Sequence, residues 1–463
     1  MSAAAGQKPS VAAPSGAPSP GAGDARPGLA TAVRVEFSKL FAQLPLRIML
    51  ALCVVVPVVF AVAMRVTGIQ PTDTLFGRWA GTNGFATSLF VLDWMAAWGV
   101  AVASGFLAGD VFASEDRLGT WKTLLTQSVS RTHLFLGKAI AATAAVWLCW
   151  IVIAAASIGA GLAIVGAAPL VGLSGQLIPT GHALVLVVSA WGLGLLPVTA
   201  LAALGVLFSI AARNSVAGVF GPLLAAIVMQ GLEATASGKI VRTVMLFTPF
   251  DAYHALFTDP VSSEPIVQAV ITSILYTAIF AGGAWWLLRR REFAGADSVP
   301  ASLRRTSIKI GGAVVGIGAV LAALGSVGPT ALTATRMNQS VASTFGNLNE
   351  VAYQWQSEGK IGTTTSWAAQ CDRGGVAEAS DTAPSAADTA SSRGPGNDWS
   401  CIIRDRRASD HFAVTAVDVE LEADGCYRVQ SQPGVFGGLY LYDINGRRYI
   451  NPLYAFDGCL GTP

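Results

Sequence analysis

Long apolar segments recur through most of the chain, and they constrain its fold more than any other feature. A helix needs about 20 predominantly apolar residues to cross the hydrocarbon core of a bilayer. The chain has 463 residues, of which 52% are hydrophobic and only 13% are charged, against about 25% charged in an average soluble protein. These observations exclude a soluble globular protein and predict an all-α polytopic membrane protein with an added domain.

A six-span core is predicted over residues 46–291. Its apolar segments are about 46–64, 84–108, 139–165, 182–211, 216–232 and 266–288. Pro57 lies within the first segment, where it predicts a kink. Three arginines, at 289–291, end the last segment.

Two different segments precede this core. Residues 1–30 are rich in Ala, Pro, Ser and Gly and predict a disordered tail. They lack the apolar centre of a signal peptide, so the chain is expected to begin in the cytoplasm. Residues 31–45 instead carry Val33, Phe37 and Leu40 on one helical face and end at Pro45. This pattern predicts an interfacial helix that lies flat before the first span.

A polar stretch at 110–138 separates the second and third predicted spans and reads DVFASEDRLGTWKTLLTQSVSRTHLFLGK. It predicts a short helix over 112–128, with Glu115 in its first turn, where a carboxylate meets the positive end of the helix dipole. Leu118 and Trp121 recur at helical spacing. The apolar ridge of such a helix is too narrow to be buried in a domain of its own, and the helix is too charged to enter lipid. It predicts either a surface for another protein or an amphipathic loop on the membrane.

This stretch resembles the first cytoplasmic loop of permease subunits of type-2 ATP-binding-cassette exporters. The matching residues are Glu115, Gly119, Thr120, Ser130, Arg131, Gly137 and Lys138. The resemblance covers roughly Thr31 to Arg291, including an elbow helix at 31–45. It implies that 112–128 is a coupling helix seated in a cleft of a separate ATPase subunit.

That implied role assigns functions to individual side chains of the coupling stretch. Leu118 and Trp121 would be the apolar contacts to the ATPase. Glu115, Arg117 and Arg131 would be its polar partners. Gly119 would allow close approach, although a glycine inside a helix costs about 1 kcal/mol relative to alanine.

Residues 233–265, between the fifth and sixth predicted spans, hold two apolar runs too short to cross, on either side of Pro249. They predict either a re-entrant hairpin, which similarity to the exporters favours, or a loop that lies on the surface. In the family the hairpin helps to close the substrate path, so Pro249 is a candidate gate residue. Asp93, within the second span, is a candidate for the substrate path or gate, or a carboxylate reached by interfacial water.

The chain departs from the six-span family after residue 291. Residues 292–307 predict a cytoplasmic linker and 308–328 a seventh transmembrane helix. Residues 329–463 predict an extracytoplasmic α+β domain, with an amphipathic helix from Met337 to Trp355, a strand around Val419 and a hairpin at Asn445-Gly446. Its four cysteines allow three pairings, of which we favour the sequential one. The favoured disulfides are Cys371–Cys401 and Cys426–Cys459.

Positive charge predicts the orientation. With a cytoplasmic N-terminus, most Lys and Arg of the core fall on the cytoplasmic side, and only Arg65, Arg78, Lys239 and Arg242 fall outside. The expected location is the plasma membrane, crossed several times, with the C-terminal domain outside the cytoplasm.

No nucleotide-binding, catalytic or metal-binding motif is visible in the sequence. We therefore expect no enzymatic activity and no cofactor in this chain, with ATP and magnesium held by the partner. The expected partners are two copies of an ABC ATPase, a second permease chain (the same or different) and the lipid bilayer, but no nucleic acid. The apolar spans favour an amphipathic or hydrophobic substrate. A membrane-anchored sensor is the main alternative, and a secondary transporter is a weaker one because the spans hold few ionisable groups.

Overall fold

The computed structural model describes most of the membrane core and the ordered elements of the C-terminal region. The described residues are 28–68, 71, 74–121, 130–212, 214–235, 245–290, 334–356, 367–373, 398–405, 414–422, 425–431, 438–442, 445–446 and 448–460. The predicted linker, the seventh span and nearly all of the predicted N-terminal tail lie outside these residues.

The core is helical, as the sequence predicted. Its helices and the one that follows them are α1 (Leu29–Ala42), α2 (Leu44–Thr67), α3 (Gly84–Leu118), α4 (Arg131–Val165), α5 (Thr180–Ala212), α6 (Ser215–Thr235), α7 (Thr248–Asp251), α8 (Ser263–Arg289) and α9 (Ala334–Gln356). Within the described chain, five are long and apolar enough to cross a membrane, namely α2, α3, α4, α5 and α8. The described apolar part of α6, Ser215–Gln230, is shorter than these, so the number of spans stays a prediction.

Prolines mark the start of the core as expected. The elbow helix α1 ends at Ala42, and Pro45 occupies the first turn of α2, where its missing N–H leaves no hydrogen bond unmade. Pro57 lies in the interior of α2, which is assigned as one helix through that position.

Polar side chains join three helices inside the bundle. The Trp150 indole N–H of α4 donates to the Trp191 carbonyl of α5 at 2.8 Å, and the Trp191 indole donates to Ser88 of α3 at 3.0 Å. Ser88 in turn lies 3.0 Å from Ser157 of α4. Because lipid offers no hydrogen bonds, such pairs fix the relative position of helices in a membrane.

The connections divide between two ends of the bundle. The end that we call the coupling end, after the role predicted for residues 112–128, contains α1, the last part of α3 and the start of α4. The domain end contains residues 74–83, residues 245–262 and a hairpin of β1 (Leu170–Val171) and β2 (Leu177–Ile178). The C-terminal domain packs on the domain end.

The C-terminal domain is α+β, in agreement with the sequence. Five antiparallel strands lie in the order β3-β4-β5-β6-β9, and α9 packs against them. The strands of this sheet are β3 (Trp367–Arg373), β4 (Asp398–Asp405), β5 (Val414–Leu421), β6 (Cys426–Ser431) and β9 (Ala455–Cys459). The predicted hairpin around Asn445 forms a separate pair, β7 (Tyr440–Tyr442) with β8 (Arg448–Ile450).

Alternation along β5 places its apolar side chains against α9. Val417, Val419 and Leu421 are buried and share a cluster with Phe345, whereas Asp418 is exposed. Both favoured disulfides are present, each between directly paired strands: Cys371–Cys401 joins β3 to β4, and Cys426–Cys459 joins β6 to β9.

Backbone hydrogen bonds fasten the domain to the core. The Cys459 N–H donates to the Leu173 carbonyl in the β1–β2 loop at 3.2 Å, and the Leu173 N–H donates to the Phe257 carbonyl at 2.8 Å. The Asn347 side chain of α9 donates to the Ser174 carbonyl at 2.7 Å. Four segments distant in sequence therefore meet at one junction.

Residues 245–262 hold most of the described part of the predicted re-entrant hairpin, whose ends belong to α6 and α8. They form the four-residue helix α7 and a 3-10 helix from Ala252 to Phe257. Phe250, Tyr253 and Phe257 are buried against protein. Residues 236–244 lie outside the described residues, so the choice between a hairpin and a surface loop stays a prediction.

Candidate functional site

The helix predicted at 112–128 is interrupted in the structure, since residues 119–120 form a turn and Trp121 is again helical. The first segment is a short helix that spans Ala113–Leu118 and ends because Gly119 adopts φ +66°, a left-handed conformation that favours glycine. The Thr120 N–H then donates to the Glu115 carbonyl at 3.2 Å. The interpretation of Gly119 as an interior helix residue was therefore wrong, because its terminating geometry prevails over the apolar spacing. Residues 122–129 lie outside the described part of the chain.

Lys138 joins this short helix to two others. Its ammonium donates to Glu115 at 2.7 Å and to Glu36 of the elbow helix at 2.9 Å. The Lys138 side chain is only 2% exposed, and those of Glu36 and Glu115 are 9% and 14% exposed. Lys39 adds a second ammonium 2.7 Å from Glu36. The two carboxylates and the buried lysine are thus neutralised within the chain.

Gly137 lets the elbow helix approach α4. A Cβ atom built on Gly137 would lie 3.1 Å from the Cβ of Ala32, closer than ordinary van der Waals contact. A larger residue would push α1 away from the Lys138 ion pairs. The Gly-Lys pair of the predicted coupling motif therefore has an internal role, which is to hold α1, α4 and the short helix together.

Ser209 of α5 supplies the third attachment. Its fully buried hydroxyl accepts hydrogen bonds from the Phe112 and Ala113 N–H groups, at 2.9 and 3.0 Å. These groups lie at the start of the short helix, where backbone N–H groups have no partner within the helix. Sequence analysis missed Ser209 and Glu36, because nothing local connects them to residues 113–118.

Leu118 and Arg117 form the exposed surface of the short helix. Leu118 is 68% exposed, and the Arg117 side chain is 61% exposed beside Asp110, with 3.8 Å between the charged atoms. Trp121 is only 7% exposed and stacks on Phe112 with ring centroids 6.3 Å apart. The expectation that Trp121 offers its ring to a partner does not fit this position, since the ring already packs inside the chain.

Two other predicted coupling residues complete local structure. Ser130 is the N-cap of α4, and its hydroxyl accepts a hydrogen bond from the His133 N–H at 3.2 Å. The Thr120 hydroxyl donates to Glu115. Arg131, in the first turn of α4, is exposed. The short helix is therefore held by α1, α4 and α5, so a force on its exposed face would reach all three helices.

Asp93, the other predicted site residue, lies at the opposite end of the core in a cavity of about 370 Å³. Its carboxylate accepts a hydrogen bond from the Tyr253 hydroxyl at 2.5 Å. Burial, followed by the nearby charge of Asp93, raises the pKa of Tyr253, so the phenol stays protonated and can donate. Pro249 is buried in the first turn of α7 and is not among the residues that line the cavity.

The backbone beside Asp93 departs from a regular α-helix. Residues Met95–Gly99 form a π-helical segment, and the Gln230 amide of α6 donates to the Ala97 carbonyl there. Such segments leave backbone groups available for other partners and are frequent at functional sites.

A buried ion pair lies where the C-terminal domain meets the core. Arg78 and Asp457 are each 4% exposed at the side chain, with 3.6 Å between charged atoms, and Arg78 also donates to the Val429 carbonyl at 3.3 Å. Burial raises the pKa of Asp457 to about 6, although the charge of Arg78 opposes this shift. Because the charged atoms are 3.6 Å apart, their attraction does not offset the cost of removing both groups from water.

The family comparison agrees with this helical core. The ABC-2 family transporter protein domain matches residues 44–293, more than half of the chain. The chain belongs to this family. It is an ABC-2 type permease subunit, a membrane component of an ABC transporter that works with an ABC ATPase and is typically not itself catalytic. No curated protein matches the chain.

The matched region contains the whole coupling end except α1. Glu115, Lys138 and Ser209 lie within it, whereas Glu36 and the C-terminal domain lie outside. The described part of the ABC-2 permease thus combines a family core with a C-terminal domain that the family match does not cover.

Proposed function

We propose that this ABC-2 permease subunit moves a substrate outward, driven by ATP that a separate ATPase subunit hydrolyses. The observation that carries the proposal is the helix Ala113–Leu118, which is anchored on α1, α4 and α5 and leaves Leu118 exposed. A coupling element must be stiff toward its own chain and accessible to its partner. This helix has both properties.

The mechanism is mechanical. The ATPase contacts Leu118 and Arg117, and closure of two ATPase subunits around ATP and magnesium displaces the short helix. Because the ion pairs of Lys138 and the hydrogen bonds of Ser209 join it to three helices, these move as rigid bodies. Two permease chains, the same or different, enclose the substrate path. The substrate is amphipathic or hydrophobic, and Asp93 contributes to the path.

In this proposal the core lies in the plasma membrane and the coupling end faces the cytoplasm. The C-terminal domain then lies outside the cytoplasm, where disulfides persist. Its two disulfides support this assignment.

Affinity purification of the tagged full-length chain in mild detergent, followed by mass spectrometry, tests the proposal. We expect an ABC ATPase to copurify with the parent and to be lost from Leu118→Glu, which adds a carboxylate to the exposed face. Val261→Glu is the matched control, because Val261 is an apolar residue with 56% exposure at the domain end. Absence of an ATPase from the parent, even after cross-linking, would contradict the proposal.

A membrane-anchored sensor is the second candidate. It is favoured by one observation, that Glu422 of the C-terminal domain lines the same cavity as Asp93. A ligand in that cavity would contact the domain and the core together.

A further inference from the structure

The cavity at the domain end has aromatic walls. It lies between α3, α6 and residues 245–262, and Trp94, Trp98, Phe247 and Phe250 line it. Its volume of about 370 Å³ falls within the range of small-molecule pockets, roughly 300–1,000 Å³. Aromatic faces carry negative charge density and attract cations at short range.

Three carboxylates line the same cavity, from three parts of the chain. Asp93 comes from α3, Asp251 from α7 and Glu422 from the end of β5. All three therefore face one cavity lining, where Asp93 also accepts the hydrogen bond from Tyr253 at 2.5 Å. Glu422 also pairs with Arg428, with 3.3 Å between charged atoms, and Arg428 itself is not among the lining residues.

Positive groups are scarce in this lining. No lysine or arginine belongs to the described residues that surround the cavity, where His254 is the one basic residue. Arg78, the nearby guanidinium of the core, contacts Asp457 and Val429. The lining is therefore acidic and aromatic together.

We propose that this cavity binds an organic cation with an apolar or aromatic body. The carboxylates attract the charge, and the indole and phenyl rings contact the body. A bare metal ion fits less well, because the described residues contain no group of three or more His, Cys, Asp or Glu side chains placed to hold one. The Glu422 carboxylate makes the C-terminal domain part of the binding site.

This inference adds a substrate class to the proposed function. The claim that the cation is transported rests on that function, whereas the claim that it binds in the cavity does not. Binding itself is testable without ATP. The full-length chain, purified in lipid nanodiscs, is titrated with tetraphenylphosphonium, and binding is followed by tryptophan fluorescence and calorimetry. Tetraphenylborate, which has the same size and apolarity but the opposite charge, is the control ligand.

We expect the phosphonium to bind more tightly than the borate, and its affinity to fall with added salt. The double variant Asp251→Asn with Glu422→Gln should weaken phosphonium binding about tenfold, roughly what 1.4 kcal/mol of lost attraction produces. Glu264→Gln is the matched control, because Glu264 is an exposed carboxylate outside the cavity lining, and it should leave the affinity unchanged.

Equal binding of the two ligands overturns the inference, as does a folded double variant that keeps the parent affinity. If the double variant does not fold, the comparison of the two ligands on the parent decides alone. An ATPase that copurifies with a chain that does not bind the cation would refute this inference and leave the proposed function standing. Cation binding without any ATPase would leave the cavity assigned and favour the sensor.

Discussion

The two ends of the membrane core are built on opposite principles. At the coupling end, a few charged side chains of the motif and of α1 pair with each other and leave a small surface exposed. At the domain end, segments more than 350 residues apart are joined by backbone hydrogen bonds, aromatic packing and the Arg78–Asp457 pair. The first end is suited to transmit force from a partner, and the second is closed by the chain's own C-terminal domain.

The difference is also one of charge balance. Lys138 lies between two largely buried carboxylates. Removing its ammonium leaves their negative charge in a place with little water, which destabilises the folded state. At the domain end, Arg428 pairs with Glu420 and Glu422, whose side chains are 63% and 26% exposed. Water can partly replace these pairs, so losing them costs less.

The largest expected effect follows from breaking the buried ion pairs. Lys138→Met leaves Glu36 and Glu115 without their shared ammonium and should destabilise the fold by about 3–5 kcal/mol. Arg428→Met should cost at most about 1 kcal/mol. Thermal unfolding of the purified full-length chain measures both.

A second variant separates charge from packing at Lys138. Adding Glu115→Gln to Lys138→Met removes the carboxylate that has lost its ammonium, while Glu36 keeps Lys39, and should recover most of the lost stability. If Lys138→Met and Arg428→Met have the same melting temperature, the distinction between the two ends does not hold.

An intermediate effect is expected from pH at the domain end. The pKa of Asp457 is raised from 3.8 to about 6, so between these values the folded state keeps a proton that the unfolded state releases. Its contribution is full below pH 3.8 and is lost as pH rises through about 6, by up to roughly 3 kcal/mol.

Melting temperatures of the parent and of Asp457→Asn, compared from pH 4.5 to 7.5, test this sign. The melting temperature of the parent, relative to that of Asp457→Asn, should fall as pH rises. The variant should not show the pH dependence that comes from this carboxyl. Asp418→Asn, at an exposed carboxylate of the same sheet, is the control. Parallel profiles for parent and Asp457→Asn would show that the carboxyl does not titrate in this range.

The sequence alone predicted those helices, strands and turns that a short local pattern of residues determines. The apolar segments gave the core helices, the alternation of Val417, Val419 and Leu421 gave β5, and Asn445-Gly446 gave the β7–β8 hairpin. The motif around Glu115 and Lys138 pointed to the end of the core where α1, α4 and α5 meet, and its coupling role stays a prediction. In each case the signal lies within a short stretch of sequence.

What the sequence did not predict depends mostly on residues far apart in the chain, and Trp121 is the local exception. Trp121 has helical spacing with Leu118, but its ring packs on Phe112 because Gly119 ends the helix between them. Ser209 and Glu36 act at the coupling end from different helices. The cavity around Asp93 includes Glu422, whose position only the folded C-terminal domain provides.

The smallest expected effect concerns that helix end. Gly119→Ala puts a Cβ on a residue with φ +66°, where no atom lies within 4 Å of it, so the cost is backbone strain alone, about 1 kcal/mol. Gly425→Ala, at φ +89° and also without neighbours, should cost a similar amount at the domain end. Melting temperatures compare the two, and a neutral Gly119→Ala would show that the left-handed conformation does not stabilise the helix end.

The most direct test of the central claim is site-specific photo-cross-linking in intact cells. A photo-reactive amino acid replaces Leu118 at the coupling end or Val261 at the domain end, both exposed and apolar. The account predicts an adduct with an ABC ATPase from position 118 and none from position 261. Adducts with the ATPase from neither position, or from position 261 alone, would contradict the assignment of the Ala113–Leu118 helix as the coupling element.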